Sequence, residues 1–499
     1  MGFLINEGVL EKYTEENGIT EVMVPEGITK IASSAFLDCK TITSVVIPDG
    51  VQQLGVCVFR GCTSLRSVKF PKSVAFIGMM AFDETPWLEQ NPDDYVIGGS
   101  VLILCKSKEK ELFIPEGITY INEFAFENVE PEIIHLPDSL TELTDELFSK
   151  CSSIKKITMS DCVKVIPNSF LSECENLEEI QLPSELTEIG CDAFNSCAKL
   201  SKITFPETLT NIGEFAFAHC TALKDIRFPS SLVEIGTRAF EDCTGLKRLS
   251  LPDNHTELGM DAFGFISFDE VFIPAHFTDG NSITRAFFAE NTGNIKIAPE
   301  NDALTIVDGI LFSKDIKVIY SVAVNKEQME IPETVEEIAD YAFLNCKKLA
   351  KITLPQSIRS IGKKAFQGCT ALTEITIPET VSEIAVCTFN NCCGLKDVAL
   401  PESLSSIGAY AFSNTAIQKI VIPQTVELLG EGAFEDCEHL AEVVMPDTIQ
   451  TSQFYEDNDY EGDCWASYDV ESKETLLKSA FCGTPWLKEQ GYSADEEDG

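Results

Sequence analysis

Proline recurs in this chain with a period of 23 residues, and that period limits the possible folds more than any other feature. Val24-Pro25, Ile47-Pro48 and Phe70-Pro71 establish it. Leu182-Pro183, Phe205-Pro206, Phe228-Pro229 and Leu251-Pro252 repeat it, as do Ile331-Pro332, Leu354-Pro355, Ile377-Pro378 and Leu400-Pro401. Pro137, Pro274, Pro423 and Pro446 extend it with steps of similar length. A second marker keeps the same register: Ala193-Phe194 with Cys197, Ala216-Phe217 with Cys220, Ala239-Phe240 with Cys243, and later Ala342-Phe343 with Cys346, Ala365-Phe366 with Cys369 and Ala433-Phe434 with Cys437. Two markers at one period identify a repeat array. Each unit of such an array packs only on its neighbours, so 499 residues need not divide into domains of ordinary size.

Inside one unit the apolar spacing changes. Ile226 and Phe228 alternate with Asp225 and Arg227, the period of two of a strand with one face inward. Pro229 then ends the strand, because proline has no amide to donate to the ladder. Leu232 and Ile235 carry the chain back across the core. Gly236 is read as permitting a turn into a short helical or 3₁₀ piece that buries Ala239 and Phe240. Strands of successive circuits should then pair about 4.8 Å apart.

The pattern Leu-x-x-Ile-x-Ile-Pro followed by Ile-Gly-x-x-Ala-Phe-x-x-Cys resembles the BspA-type leucine-rich repeat, and the resemblance covers nearly the whole chain. It implies an α/β repeat solenoid, a right-handed superhelix with short parallel strands on one face and turns, short strands or 3₁₀/α pieces on the other. Thr85-Pro86-Trp87-Leu88 with Tyr95 to Ile103 is similar to an insertion module between such repeats, and Thr484-Pro485-Trp486-Leu487 begins another copy. The expected organisation is one solenoid over 1–490, with a β-rich N-terminal cap at 1–20, irregular modules at 83–114 and 291–331, an acidic insertion at 451–476 and a disordered acidic tail at 491–499. Family members include surface adhesins that bind host matrix proteins or other cells.

Composition narrows the partners. An apolar fraction of 44% is enough for a continuous core. The 37 Lys+Arg against 80 Asp+Glu give a formal charge of −43, a field that repels phosphate backbones and anionic lipids, so no nucleic-acid partner is expected. The start Met1-Gly2-Phe3-Leu4-Ile5-Asn6-Glu7 lacks the basic region of a signal peptide, and no apolar run is long enough to span a membrane. The expectation is a cytoplasmic protein by default, without membrane insertion, and with the cell surface as the alternative.

Chemistry is sought first among the 19 cysteines. Cys39, Cys62, Cys151, Cys174, Cys197, Cys220, Cys243, Cys346, Cys369, Cys392 and Cys437 share one place in the repeat and should form a column of buried, reduced thiols. Side chains pointing in parallel do not form a ladder of disulfides. No Cys-x-x-Cys pair occurs and no histidine stands at metal spacing, so no metal or cofactor is expected. Asp457, Asp459 and Glu461 alternate before Gly462 as in a calcium loop, but Tyr468 stands where a bidentate glutamate is required. His135, His219, His255, His276 and His439 are scattered over separate repeats, and no catalytic residues are assigned. An active site in the irregular stretch 264–331, around Phe265, Phe268, Phe272, Phe277, Phe287 and Phe288, is weighed against simple aromatic packing.

The outward positions of the strands remain. They are Lys156/Thr158, Glu179/Gln181, Lys202/Thr204, Asp225/Arg227, Arg248/Ser250, Lys351/Thr353, Glu374/Thr376 and Asp397/Ala399, with Val421 and Val444 making the end of the column apolar. Solenoids bind along extended surfaces built from such columns. Thr158, Gln181, Thr204, Arg227, Ser250, Thr353, Thr376, Val421 and Val444 are therefore the candidate ligand surface of a non-enzymatic scaffold for a protein or glycan partner, and an adhesin is the alternative.

Overall fold

The structure, a computed structural model, describes residues 2–254, 256–287, 292–322, 326–446, 449–451 and 473–490. Most of the expected acidic insertion, all of the tail, and His255 and Phe288 lie outside the described residues. The chain forms two compact units, Met1–Gly245 and Leu246–Gly499. Each is a stack of coils whose strands pair in parallel.

In the first unit the period-two segments form a ladder of Glu21–Met23, Ser44–Val46 and Ser67–Lys69, which resumes as Glu111–Phe113, Ile133–His135, Lys156–Thr158 and Glu179–Ile180. A second parallel ladder runs on the other side of the core. It contains Lys30–Ile31, Gln53–Leu54 and Phe76–Ile77, then Val165–Ile166, Glu188–Ile189, Asn211–Ile212 and Glu234–Ile235. An antiparallel hairpin, Phe3–Asn6 with Val9–Tyr13, starts this second ladder by pairing with Lys30–Ile31. Between the two runs lie the helix Pro86–Glu89, capped by Thr85, and the hairpin Tyr95–Gly98 with Val101–Cys105.

The second unit repeats the plan. Arg248–Ser250, Phe268–Ile273 and Thr292–Ile297 pair in parallel, and so do Gln328–Glu330, Lys351–Thr353, Glu374–Thr376 and Asp397–Ala399, followed by the pair Lys419–Val421 and Glu442–Val444. The helix Gly280–Phe287 and the hairpin Leu304–Val307 with Ile310–Ser313 interrupt it. The helices Lys473–Ala480 and Pro485–Glu489 close the described chain.

One coil shows why these residues fold this way. Leu209, Ile212, Ala216, Phe217, Cys220 and Leu223 all point inward and are fully or almost fully buried. After the strand Asn211–Ile212 the backbone enters the left-handed region at Phe215 (φ 52°) and again at His219 (φ 60°). The amides of Phe215, Phe217 and His219 then all donate to carbonyls of the next coil, at 3.0, 2.7 and 2.7 Å. Those bonds offset much of the strain of placing large residues in a region that costs about 1 kcal/mol or more. Of the alternatives open for this side, the structure therefore takes turns and two-residue strands, with no 3₁₀ segment among the described residues.

The repeated glycine also differs from expectation. Gly236 does not have a positive φ and so is not there to permit a left-handed turn. It stacks on Gly213, and a Cβ at Gly236 would lie 2.7 Å from Glu214 N and from the Gly213 carbonyl carbon. The position needs a missing side chain because adjacent backbones approach there.

The phenylalanines form columns. Phe194, Phe217 and Phe240 stack at 5.0 and 5.2 Å in the first unit, and Phe343, Phe366, Phe389, Phe412, Phe434 and Phe481 continue the arrangement in the second. Offset-stacked rings at this spacing add about 0.5–1.5 kcal/mol to their burial. Phe217→Ala should therefore cost about 3–5 kcal/mol in urea unfolding, whereas Phe124→Ala, at a half-exposed position, should cost about 0.5 kcal/mol or less.

Candidate interaction surface

In both units the outward side chains of these strand segments lie two residues before the proline, except Thr158, where Ser160 stands in its place. Gln181, Thr204, Arg227, Ser250, Thr353 and Thr376 are exposed, Thr158 is half-buried, and Val421 and Val444 are 52% and 45% exposed. Register brings some of them together: Val421 stands opposite Val444, Thr158 opposite His135, and Thr353 opposite Glu330. Ser250 instead faces Phe272.

Gln181, Thr204 and Arg227 are outward but not on strands, because in the first unit this ladder has no strand after Ile180. Phe205 and Phe228 occupy the inward positions there, and their rings stack at 6.0 Å.

The neighbouring outward column carries charge. Lys156 pairs with Glu179 and Lys351 with Glu374, each at 3.5 Å, and Lys419 pairs with Glu442. Exposed pairs of this kind contribute about 0–1 kcal/mol, so they bias register more than they stabilise the stack.

The proline register also leads to residues that the list beginning at Lys156 does not include. Met23, Phe113 and His135 precede Pro25, Pro115 and Pro137 by two residues, and Met23 and Phe113 are 74% and 63% exposed. His135 links two neighbours: its Nδ1 lies 2.9 Å from Thr158 Oγ1 and its Nε2 3.0 Å from Glu111 Oε1. A hydroxyl, an imidazole and a carboxylate in line have the order of a nucleophilic relay. Nearby backbone amides are engaged in the ladder, Ile114 N on His135 O and Leu136 N on Thr158 O, and so do not form the paired donors that an oxyanion requires. The contacts orient the imidazole. His219 with Asp242 and His276 with Asp253 are exposed pairs at 3.3 and 3.0 Å.

The cysteine column is inert for a physical reason. The thiols of Cys62, Cys174, Cys197 and Cys220 donate to the carbonyls of Phe36, Phe148, Leu171 and Phe194 in the preceding coil, at 3.1 to 3.2 Å. Burial pushes the Cys62 and Cys197 thiols up to about 12 from an ordinary 9.0. Nucleophilic attack and metal ligation both need the thiolate, which these sites exclude. The described cysteines are all free, and among the described residues no group of three or more His, Cys, Asp or Glu could hold a metal ion.

The folded thiols keep their protons to a higher pH than the unfolded ones. Their contribution to stability is therefore complete below pH 9 and is lost as pH rises toward 12. Denaturation midpoints measured across that range should fall less steeply for Cys62→Ala/Cys197→Ala than for the parent chain. Cys151 and Cys346, expected to be buried with the rest of the column, are only half-buried, so in the native state a thiol reagent should label exposed Cys162, Cys191 and Cys393 but not the nine buried members of the column. Outward and inward positions should also separate by stability: Val421→Ser and Val444→Ser should each change it by about 0.5 kcal/mol or less, and Ile420→Ala should cost about 2–5 kcal/mol by calorimetry or urea unfolding.

No helix among the described residues is long and apolar enough to cross a membrane. No curated protein matches the chain. Among solved structures, a leucine rich cell surface protein from Faecalibacterium prausnitzii is 24% identical, covering 70% of this chain and 92% of that one with a TM-score of 0.49. A leucine-rich repeat protein from Bacteroides ovatus is 22% identical, covering 91% and 97% with a TM-score of 0.38. The pneumococcal vaccine antigen PcpA is 18% identical, covering 78% and 93% with a TM-score of 0.33. The model of the BspA type leucine rich repeat region matches residues 11–91, 103–223, 166–296 and 317–441 in six copies, and the chain belongs to that family.

Proposed function

We propose that the chain is a non-enzymatic recognition scaffold whose outward column contacts a protein or glycan partner across several rungs. The observation that carries this reading is a set of exposed side chains, Thr353, Thr376, Val421 and Val444 among them, each mounted on a strand whose inward residue is buried or, for Val443 beside Val444, half-buried. Such side chains are held in a fixed relation before binding, which lowers the entropy lost on association. The buried thiols of Cys62 and Cys197 keep their protons, and the amides of Ile114 and Leu136 beside His135 are engaged in the ladder, which supports the non-enzymatic reading.

The compartment is a separate matter. Thiols that are buried and protonated resist both oxidation and ligation, so the scaffold suits the cytoplasm or the cell surface equally well.

A photo-crosslinking residue at Thr204 or Thr353 should capture a discrete partner from the source cell. The same residue at Val233, which is exposed but outside the column, should not. Equal capture from all three positions would contradict a face-specific scaffold. Ester or amide turnover that disappears in His135→Ala and Thr158→Ala would show the scaffold to be an enzyme.

A further inference from the structure

Phe113 lies on the first strand after the helix and hairpin of the first unit and is 63% exposed. His135 of the next rung covers one face of the ring, with centroids 4.4 Å apart and planes 10° from parallel. The imidazole cannot swing away easily, because Glu111 and Thr158 hold its two nitrogens. With one face stacked and so much of the residue in solvent, the opposite face of Phe113 is open.

A related sequence elsewhere in the chain draws a cation of the next rung to its carboxylate. Glu270-Val271-Phe272 repeats the Glu-x-Phe of Glu111-Leu112-Phe113. There Lys296 of the next rung aligns with Phe272, and its ammonium reaches Glu270. At the corners of the coils, Arg238 lies over Phe215 at 5.6 Å and Lys364 over Tyr341 at 5.4 Å. Two aromatic rings of this solenoid, half-buried Phe215 and buried Tyr341, thus meet a cation from the adjacent coil.

We propose that the open face of Phe113, with the Glu111 carboxylate beside it, receives a lysine or arginine side chain of a protein partner. This rests on the scaffold reading and adds the chemistry of the partner. The formal charge of −43 favours a basic segment by charge complementarity and steers it toward the surface. The ring and the carboxylate then give that diffuse attraction a defined seat.

The test is titration of the full chain with a peptide of alternating arginine and glycine at physiological salt. Phe113→Ala changes no charge, so diffuse attraction is kept and only the ring contact is lost. It should weaken binding about two- to fivefold, the range of an exposed cation–π contact. Phe113→Trp should restore or exceed parent affinity, and Phe272→Ala should leave it unchanged because that ring is half-buried and its neighbouring Glu270 is already paired with Lys296. Thermal melts of each variant control for folding. Equal affinity of Phe113→Ala and the parent would overturn the proposal, as would loss of cello-oligosaccharide binding in that variant with peptide binding kept. If partner capture through Thr204 and Thr353 persists in that case, only the cationic seat fails; if capture is also absent, the scaffold reading fails with it.

Discussion

Contact between one coil and the next is the constraint on which the rest depends. A coil such as 209–228 places its leucine, isoleucine, phenylalanine and cysteine toward the core, yet it is too thin to cover them by itself. Burial is completed only when Phe194 and Phe240 stack on either side of Phe217. Each large residue of the interior therefore has its counterpart one period away, and stability accumulates through nearest-neighbour interfaces. The left-handed corners, the glycine column and the thiol-to-carbonyl bonds all serve the close approach of adjacent backbones.

The same constraint divides the labour between faces. Inward positions must repeat because each packs on its own copy, whereas outward positions are released from that requirement and carry the differences. Thr353, Thr376, Ala399, Val421 and Val444 occupy equivalent places with different chemistry. Recognition can vary along the column without any change to the core beneath it.

The sequence shows the period, the inward residues and the first ladder because apolar spacing and proline record them directly. It shows less of the other side. The second ladder has strands of only two residues, such as Glu234–Ile235, too short for alternation to be recognised. The left-handed corners are hidden by their own diversity: Asn345, Asn391, Gly61 and Gly368 carry the residue types that usually mark the conformation, but Ser34, Cys57, Met80, Phe215, Arg238 and Tyr410 share it. Bonds to the next coil select that conformation, and those bonds join residues far apart in sequence. The absence of strand at Thr204 and Arg227 is not legible in the sequence, because the alternation of apolar residues there is the same as in units whose strands pair. Phe113 and His135 were in register from the start, but their stacking is a property of two rungs together.

The near-identity of successive interfaces has a genetic consequence. If recombination between repeats deletes or duplicates one 23-residue segment, the new neighbours meet through the same phenylalanine, cysteine and glycine contacts as the old ones. Such an event changes which outward residues lie side by side while leaving the interior continuous. Length and binding specificity can thus be remodelled in whole-coil steps, a route to diversification that a core built from non-equivalent contacts would not survive.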